Sequence, residues 1–412
     1  MRSPTSLSAS TCILGAGPHG LAMALYLHRA GEDDVVVLDP SGEWLSTWET
    51  QFARLEINVL RSPNVHHPSP DVDGLSAYSN ASGFMSTGLP YEPPTSDAFS
   101  AFGRHLVADA ALAPPLAERA HDVHGDGSTL HVETGGPTIT TERLVIAANP
   151  HHRVLPDWLS PLLGLRGVEL AHAADVDLPA IERLDGEHVA IIGGGMTAAH
   201  LACGAAERGA TAHIVSRRAL DIRHFDTDPG WLGPKYLRAF DEIRDPAERL
   251  SAARRARGGG TIPPWMEERL AELAERGRVV LHPRTEVRSA AAAGSGCRLE
   301  LDDGDAVEPT RVWLATGTVP DMAAMRCLRT VLPDIATIDG YPVTDDDLRT
   351  GRHPIHVMGR LATLTLGPAA GNLWGARHAA HRITRAITGI DVDFLATRLQ
   401  PSDEPQNRVI HD

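Results

Sequence analysis

Two glycine-rich segments of similar design could each bind the phosphates of a dinucleotide. The first, Gly15-Ala16-Gly17-Pro18-His19-Gly20, stands between a short apolar strand and a helical segment. Backbone amides and the positive end of the helix would face a pyrophosphate there, and Gly17 would allow its close approach. Asp39 ends the next predicted strand, where a carboxylate can bind ribose hydroxyls. The predicted contacts of this site are Gly15, Gly17, Pro18, His19, Gly20 and Asp39.

The second segment is Gly193-Gly194-Gly195-Met196-Thr197-Ala198, again between a predicted strand and a predicted helix. The strand that follows it ends in Ser216-Arg217-Arg218, where an acidic residue would stand in a site for NADH. A guanidinium suits a 2′-phosphate, which a carboxylate would repel, so this site favours NADPH over NADH. The predicted contacts of the second site are Gly193, Gly195, Met196, Thr197, Ser216, Arg217 and Arg218.

Small residues also precede the last predicted helix, where the backbone could approach a flat ring or a phosphate. They form the segment Leu366-Gly367-Pro368-Ala369-Ala370-Gly371-Asn372, which follows a buried strand ending at Gly359. We expect this region and the end of an earlier strand to complete the first site. The predicted contacts here are Gly317, Gly359, Leu366, Gly371 and Asn372.

Each of these segments has a plainer interpretation. A glycine turn by itself also serves packing, although the order strand, turn, helix, strand and acid favours a ligand at the first site. Arg217 and Arg218 could be solvated charges at the end of a strand. The segment before the last helix could be an ordinary loop with an N-terminal cap.

The same succession of elements occurs twice, at residues 11–38 and again at residues 188–215. Each copy is followed much later by a β-rich stretch with a similar closing strand. The pattern predicts an α/β protein with two Rossmann-like domains, each a three-layer β/β/α arrangement, the second inserted in the first. The expected segments are 9–155 and 306–395 for the first domain, 156–305 for the second, and 396–412 for a tail.

Two regions carry little periodic pattern. Residues 41–115 contain several prolines that would interrupt a helix, so we expect a long loop region that covers a site. Residues 1–10 are rich in Ser and Thr and are expected to be frayed.

Composition excludes several classes of function. The net charge of −15 argues against a nucleic-acid partner, because such proteins present a basic face. The four cysteines form no C-x-x-C pair, which fits a reducing cytoplasm and excludes the usual redox-active dithiol. No apolar run is long enough to span a membrane, and the histidines show no chelating pattern, so we expect neither a membrane segment nor a metal.

These residues together resemble the two-dinucleotide-binding flavoprotein superfamily, and within it the class B flavin monooxygenases, especially the bacterial lysine and ornithine N-hydroxylases. Besides the two glycine segments, the likeness is carried by Trp44–Trp48, Leu60–Pro63, Asp226–Leu237 and Ala315–Gly317. The resemblance implies FAD on the first segment and NADPH on the second. It also implies that Trp48 and Gln51 lie near the flavin and that Asn64 contacts the flavin-nicotinamide site, although packing in a core or lid is an alternative for all three.

By the same resemblance, NADPH would reduce the flavin, O2 would be captured at flavin C4a, and the distal oxygen of the hydroperoxide would pass to a heteroatom of a small molecule, in the first place an amine nitrogen. Two alternatives remain open. The protein could be an FAD-containing NAD(P)H oxidoreductase or oxidase that passes electrons on without oxygenation, or a non-catalytic flavoprotein. The sequence leaves open both the substrate and the oligomeric state, a homo-oligomer included.

Overall fold

The computed structural model describes residues 6–125, 127–165, 167–294 and 296–392, so the expected tail at 396–412 lies outside the described residues. The strands are Ser6–Leu14 (β1), Val35–Leu38 (β2), Asp122–Gly125 (β3), Leu130–Glu133 (β4), Thr138–Ile146 (β5), His151–Arg153 (β6), Glu169–His172 (β7), His188–Ile192 (β8), Thr211–Ser216 (β9), Asp221–Ile222 (β10), Thr261–Ile262 (β11), Val279–Pro283 (β12), Val287–Ala293 (β13), Gly296–Leu301 (β14), Ala306–Val307 (β15), Arg311–Leu314 (β16), Thr318–Pro320 (β17), Thr337–Ile338 (β18), Tyr341–Pro342 (β19), Arg349–Thr350 (β20) and Ile355–Val357 (β21).

The α-helices are Pro18–Arg29 (α1), Ser46–Arg54 (α2), Gly74–Ala81 (α3), Ser96–Asp109 (α4), Met196–Glu207 (α5), Pro234–Glu242 (α6), Pro246–Arg257 (α7), Pro264–Glu275 (α8), Thr363–Leu366 (α9) and Leu373–Thr388 (α10). Prolines stand in the first turn of α1, α6, α7 and α8, where their missing amide hydrogen costs nothing. No helix among the described residues is long and apolar enough to cross a membrane.

The first sheet has the order β2-β1-β5-β21-β20, with the hairpin of β3 and β4 added to β5. Strand β1 lies between β2 and β5 and is parallel to both. Ile13 of β1 lies opposite Val37 of β2 and Val145 of β5. Apolar side chains of these strands, of α1 and of α10 form one buried core. The strand β21, which comes after the whole second sheet in sequence, pairs in parallel with β5. The first domain is therefore interrupted by the second.

The second sheet is parallel throughout, with the order β12-β9-β8-β16-β7. One face packs against α5 and α8, and the other against the small antiparallel sheet of β13, β14 and β15. Strands buried on both faces read as continuous apolar runs, as β8 does. The prediction of an α/β fold with two Rossmann-like domains, each with an added β layer, is confirmed.

The structure differs from expectation in two segments of the first domain. Residues 6–9 are not frayed, because they belong to β1 and pair with residues 138–141 of β5, and residues 1–5 lie outside the described residues. Residues 41–115 are not a helix-free loop region, because they contain α2, α3 and α4. The prolines of this stretch fall between those helices, so they delimit helices here and do not prevent them.

The division of the chain into domains remains a proposal, and the strand pairing bears on one of its boundaries. The strand β16 pairs with both β7 and β8 inside the second sheet. It begins at Arg311, after the boundary expected at residue 305. We therefore propose that the second domain extends through residue 314, because a strand central to a sheet belongs to the domain that the sheet builds.

Candidate functional site

The first glycine turn is shaped so that two of its glycines serve the fold and the third leaves open space. Gly15 has φ +105°, and a Cβ there would lie 3.0 Å from the backbone nitrogen of Ala148. A Cβ on Gly20 would lie 1.9 Å from the carbonyl oxygen of Gly15. A Cβ on Gly17 would meet nothing within 4 Å, although α1 begins at the next residue. That space before the helix fits a pyrophosphate, which the helix amides would bind.

Asp39 lies against this turn, as the sequence predicted for a ribose-binding carboxylate. Its Oδ2 accepts a hydrogen bond from the backbone amide of Ala16 at 3.0 Å. Its Oδ1 accepts from the amide of Ser41 at 3.0 Å and from the Ser41 hydroxyl at 2.6 Å. A carboxylate offers about four acceptor positions, so Asp39 keeps capacity for a ligand hydroxyl while the three bonds hold it in place.

A cavity of about 310 Å³ lies beside this turn, between the two domains. It is at the small end of the range for ligand pockets, which is about 300 to 1,000 Å³. Residues 18–66 and 371–374 of the first domain form most of its wall, and residues 225–232 of the second domain close it. Large apolar side chains in that wall are Trp48, Phe52, Phe225, Leu232, Leu373 and Trp374. Such a lining fits a flat aromatic ring.

Two histidines line this cavity and are neutral at physiological pH. Burial lowers the pKa of His19 to about 4, opposed by its hydrogen bond to the carbonyl oxygen of Ala370, 3.3 Å from Nε2. Burial, with the nearby positive charge of Arg377, lowers the pKa of His66 to about 4. His19 also lies over Gly359, where a Cβ would be 3.6 Å from the imidazole. The predicted neighbours His19 and Gly359 are thus brought together.

The predicted contact Asn372 also lines the cavity, and polar side chains that sequence reasoning missed hold it there. Asp226 accepts a hydrogen bond from Asn372 Nδ2 at 3.2 Å and forms an ion pair with Arg257 at 2.9 Å. Arg257 in turn donates to the carbonyl oxygen of Pro368 at 3.1 Å. The resemblance had marked the segment from Asp226 to Leu237 without giving any of its residues a role.

Arg61 joins the two domains at the same cavity, and it too was missed. Its guanidinium donates to three carbonyl oxygens of the second domain: His224 at 2.9 Å, Thr261 at 3.1 Å and Arg223 at 2.6 Å. These contacts bridge more than 160 residues of sequence, so no local pattern could have revealed them. Because neutral carbonyls replace water around it, burial lowers the pKa of Arg61 to about 10.

The remaining predicted residues of the first site are placed as follows. Trp48 lines the cavity and stacks on Phe52, with ring centroids 4.0 Å apart. Gln51 lies on α2 with an exposed side chain, and Asn64 is half-buried on the loop after Arg61, and neither is among the residues that line the cavity. Their catalytic role stays a prediction. Of the other predicted contacts, Pro18 and Gly371 line the cavity, whereas Gly317 and Leu366 are not among its lining residues.

The second glycine turn repeats the close packing of the first. Gly193 has φ +141°, and a Cβ there would lie 2.4 Å from the carbonyl oxygen of Ala315. Gly195 packs against Gly260, and a Cβ on Gly195 would lie 3.0 Å from the Gly260 Cα. Met196 and Thr197 form the first residues of α5, at the positive end of the helix. The loop at residues 258–260 therefore covers this turn.

The strand-end residues of the second site separate in space. Ser216 is buried, whereas Arg217 and Arg218 are exposed. The guanidinium of Arg218 crosses Gly259, where a Cβ would lie 1.3 Å from Nη2, and Arg218 lines a second cavity of about 690 Å³. Arg217 is not among the residues that line that cavity.

The cysteines form no redox centre. All four are buried free thiols. Burial raises the pKa of Cys12 to about 12, and it raises the pKa values of Cys203, Cys297 and Cys327 to about 11. A reactive thiol has a lowered pKa and some exposure, so these thiols are of the inert, structural kind. Among the described residues, no group of three or more His, Cys, Asp or Glu is arranged to hold a metal ion.

The solved structures of similar fold include ornithine hydroxylases and a cadaverine monooxygenase. The reduced form of ornithine hydroxylase from Pseudomonas aeruginosa is 19% identical, with a TM-score of 0.75 over 93% of this chain and 99% of that one. The FAD-bound cadaverine monooxygenase of desferrioxamine biosynthesis from Erwinia amylovora is 16% identical, with a TM-score of 0.76 over 94% and 96%. An ornithine N-hydroxylase from Kutzneria sp. 744, with reduced FAD, NADP+ and L-orn, is 14% identical, with a TM-score of 0.74 over 92% and 99%.

The resemblance to class B flavin monooxygenases is thereby confirmed at the level of the fold. No curated protein sequence matches the chain. One family model, described as pyridine nucleotide-disulphide oxidoreductase, matches residues 12–257, which is more than half of the chain and includes both glycine turns. The chain therefore belongs to the pyridine nucleotide-disulphide oxidoreductase family.

Proposed function

We propose that this protein is an FAD-dependent, NADPH-using monooxygenase that oxygenates a heteroatom of a small molecule, in the first place an amine nitrogen. The observation that carries the proposal is the pairing of two dinucleotide turns with an aromatic cavity between their domains, in a chain whose thiols are all buried and inert. The partners would be O2 and a small amine, and the compartment the cytoplasm. The similar ornithine and cadaverine hydroxylases support the choice of an amine.

The residues of the first site fit FAD. The open space at Gly17 matches the pyrophosphate, Asp39 can accept hydrogen bonds from the ribose, and the apolar cavity wall suits the ring system. When bound, the flavin accepts a hydride from NADPH and activates O2, which is chemistry that no side chain supplies. The task of the protein is then to bind, orient and exclude water.

Several side chains of the cavity perform that task. Trp48 and Trp374 give it apolar walls that exclude water. Asn372 Nδ2 donates to Asp226, so the side-chain carbonyl oxygen of Asn372 remains available to accept a hydrogen bond in the cavity. His19 and His66 are neutral at pH 7, so each can accept or donate one hydrogen bond without adding charge. Arg61 fixes the second domain against the cavity.

The buried thiols argue against the disulphide chemistry that the family description names. A flavoprotein that reduces disulphides through its own dithiol needs an accessible pair of cysteines beside the flavin, and the residues that line the described cavity include no cysteine. Electrons that arrive from NADPH must therefore leave through oxygen or another acceptor.

One observation favours a second candidate, an NAD(P)H oxidase without oxygenation. The cavity of about 310 Å³ is small, and its charged groups Arg61 and Asp226 already have partners within the protein. A pocket that a flavin ring largely fills leaves little room for a substrate unless the domains move apart. The oxidase would release peroxide in amounts that match the NADPH consumed.

The test is to reduce the purified flavoprotein with NADPH without oxygen and then mix it with O2 while recording flavin absorbance. If the protein is a monooxygenase, we expect a long-lived species whose absorbance differs from that of both oxidised and reduced flavin. We also expect hydroxylated product when a diamine or diamino acid is added. Direct return to the oxidised spectrum, with peroxide equal to NADPH and no product, would establish the oxidase. A flavin that neither NADPH nor NADH can reduce would refute both candidates and leave the non-catalytic flavoprotein.

A further inference from the structure

Residues 82–94 connect α3 to α4, and the end of this segment is anchored to the wall of the cavity between the two domains. The carbonyl oxygen of the buried Pro94 accepts a hydrogen bond from the amide of Leu60 at 3.0 Å, and Leu60 lines that cavity. Directly beside this bond, Val59 and Thr95 form an antiparallel bridge. The base of the segment is therefore fixed at the cavity, whereas most of its residues are exposed.

The tip of this segment has an unusual backbone conformation. Tyr91 has φ +65° and Glu92 has φ +45°, so two consecutive residues other than glycine are left-handed. A turn of this kind normally contains Gly, Asn or Asp, because a larger side chain is strained there. Pro90 and Pro93 stand on either side with a fixed φ, and the Thr87 hydroxyl donates to the carbonyl oxygen of Pro93 at 3.0 Å. A strained conformation that its surroundings enforce is typical of a functional position.

The Tyr91 side chain contacts the second domain at the cavity wall. Its ring centroid lies 4.9 Å from that of Phe225 and 5.2 Å from that of His224, distances that are typical of favourable aromatic pairs. Phe225 lines the cavity, whereas Tyr91 is 59% exposed and is not among the lining residues. The Tyr91 ring therefore lies on the solvent side of Phe225.

This contact differs in kind from the one that Arg61 makes to the same part of the second domain. Arg61 binds the backbone carbonyl oxygens of Arg223 and His224, so it fixes the course of the chain and not the Phe225 ring. The Phe225 ring has aromatic contacts with Tyr91 and with its sequence neighbour His224. Without Tyr91, a half-buried ring would be left as the barrier between this part of the cavity and solvent.

We propose that Tyr91 is a positioning residue that holds Phe225 in the cavity wall, so that residues 82–94 form a lid that excludes water from a flavin bound there. This inference rests on the proposed binding of FAD at the first site. It deepens the proposed function, because it assigns to one loop the exclusion of water that oxygen transfer requires. The contact is made by side chains, so the lid can open while the backbone contacts of Arg61 remain.

The first test measures how strongly iodide in solution quenches the fluorescence of flavin bound to the full-length protein. We expect Tyr91→Ala to raise the quenching constant about twofold, because the Phe225 ring loses its cover and solvent reaches the cavity. Tyr91→Phe keeps the aromatic ring and should match the wild type. Met85→Ala is the matched control, because Met85 belongs to the same segment and its side chain is 86% exposed. This control should leave quenching unchanged.

Two further variants separate the lid from a folding defect and test whether Tyr91 acts through Phe225. Asn adopts a φ of +65° more readily than Tyr does, so Tyr91→Asn should unfold at the wild-type temperature or above it. The same variant should nevertheless increase quenching as Tyr91→Ala does. A double variant with Tyr91→Ala and Phe225→Ala should be quenched no more strongly than Phe225→Ala alone, because two residues that act as a unit have non-additive effects.

A second measurement follows the consumption of NADPH in air without any added amine. Each NADPH, with one proton and one O2, then gives NADP+ and hydrogen peroxide. We expect Tyr91→Ala to consume NADPH about threefold faster than the wild type, because water reaches the flavin more easily. The rate at which NADPH reduces the flavin without oxygen should stay the same, since Tyr91 does not line the cavity.

The outcomes separate the lid from the proposed function. Wild-type quenching in Tyr91→Ala and Tyr91→Asn would overturn the lid, whatever chemistry the flavin performs. An equal rise in Met85→Ala, or additive effects in the double variant, would overturn the role of Tyr91. If quenching rises as expected, but the wild type consumes NADPH as fast as Tyr91→Ala and hydroxylates no amine, the lid stands and the proposed monooxygenase fails.

Discussion

The substitution Gly17→Ala separates the fold of the first turn from its ligand. Gly17 has φ −72° and ψ −172°, which alanine adopts without strain, and an added Cβ would meet no protein atom within 4 Å. The flavin-free protein should therefore be within about 1 kcal/mol of the wild type, because the reduced freedom of the unfolded chain is offset by the poorer N-cap that alanine gives α1. The methyl group would instead occupy the space into which a pyrophosphate must fit.

The cost to FAD binding follows from the hydrogen bonds that the phosphates would lose when displaced. One charge-assisted bond from a backbone amide contributes about 1.5 to 3 kcal/mol. Losing one such bond raises the dissociation constant by roughly ten- to a hundredfold. Since a ligand present at a hundred times its Kd stabilises the folded state by about 2.7 kcal/mol, the variant would lose about 1.3 to 2.3 kcal/mol of that stabilisation at the same FAD concentration.

The assay is thermal unfolding with and without added FAD, combined with titration of flavin fluorescence. Gly20→Ala is the matched control, because its Cβ would lie 1.9 Å from the Gly15 carbonyl oxygen. That variant should be destabilised without any ligand, by about 1 to 3 kcal/mol. The reasoning is refuted if Gly17→Ala binds FAD with wild-type affinity, or if the flavin-free Gly17→Ala protein unfolds as readily as Gly20→Ala.

Three further predictions concern stability, thiols and the domain contact. Burial lowers the pKa of His200 from 6.5 to about 4. The stability that depends on neutral His200 is therefore fully present above pH 6.5 and is lost as pH falls towards 4, and the loss of unfolding free energy is about 2 kcal/mol at pH 5. His200→Leu should flatten the fall in unfolding free energy between pH 7 and pH 5, and an unchanged slope would contradict this. A thiol reagent should reach the four cysteines only after unfolding, and a fast-reacting pair in the native protein would restore dithiol chemistry. Arg61→Lys cannot make all three bonds to the second domain, so it should cost about 1 to 3 kcal/mol in unfolding free energy; a loss no larger than that of an exposed arginine would show that the contact is unimportant.

The features that sequence predicted well are those set by neighbouring residues. The turn from Gly15 to Gly20 is recognised because strand, glycines and helix follow each other directly, and the structure forms all three. The partner Asp39 was found because a second parallel strand ends beside the first. The twofold repetition of these elements was enough to predict two Rossmann-like domains.

The features that sequence missed depend on position in the folded chain. The prolines of residues 41–115 led us to expect no helix anywhere in that stretch. Helices α2, α3 and α4 nevertheless form in the intervals between the prolines. The contacts of Arg61 join two domains, and those of Asp226 join the second domain to the start of α10. Arg217 and Arg218 are adjacent residues of the same type, so the sequence does not tell their roles apart. In the structure only Arg218 places its guanidinium against the glycine loop at residues 258–260.

This difference indicates where substrate choice must lie. The two glycine turns suit parts common to all dinucleotides, so they place little constraint on the choice of substrate. Besides residues 18, 19 and 371–374, the cavity wall comes from residues 48–66 and 225–232, on either side of the domain contact that Arg61 makes. A change in that contact would alter the size of the cavity without touching either turn. Variation at the domain contact can therefore change the substrate while the cofactors stay the same.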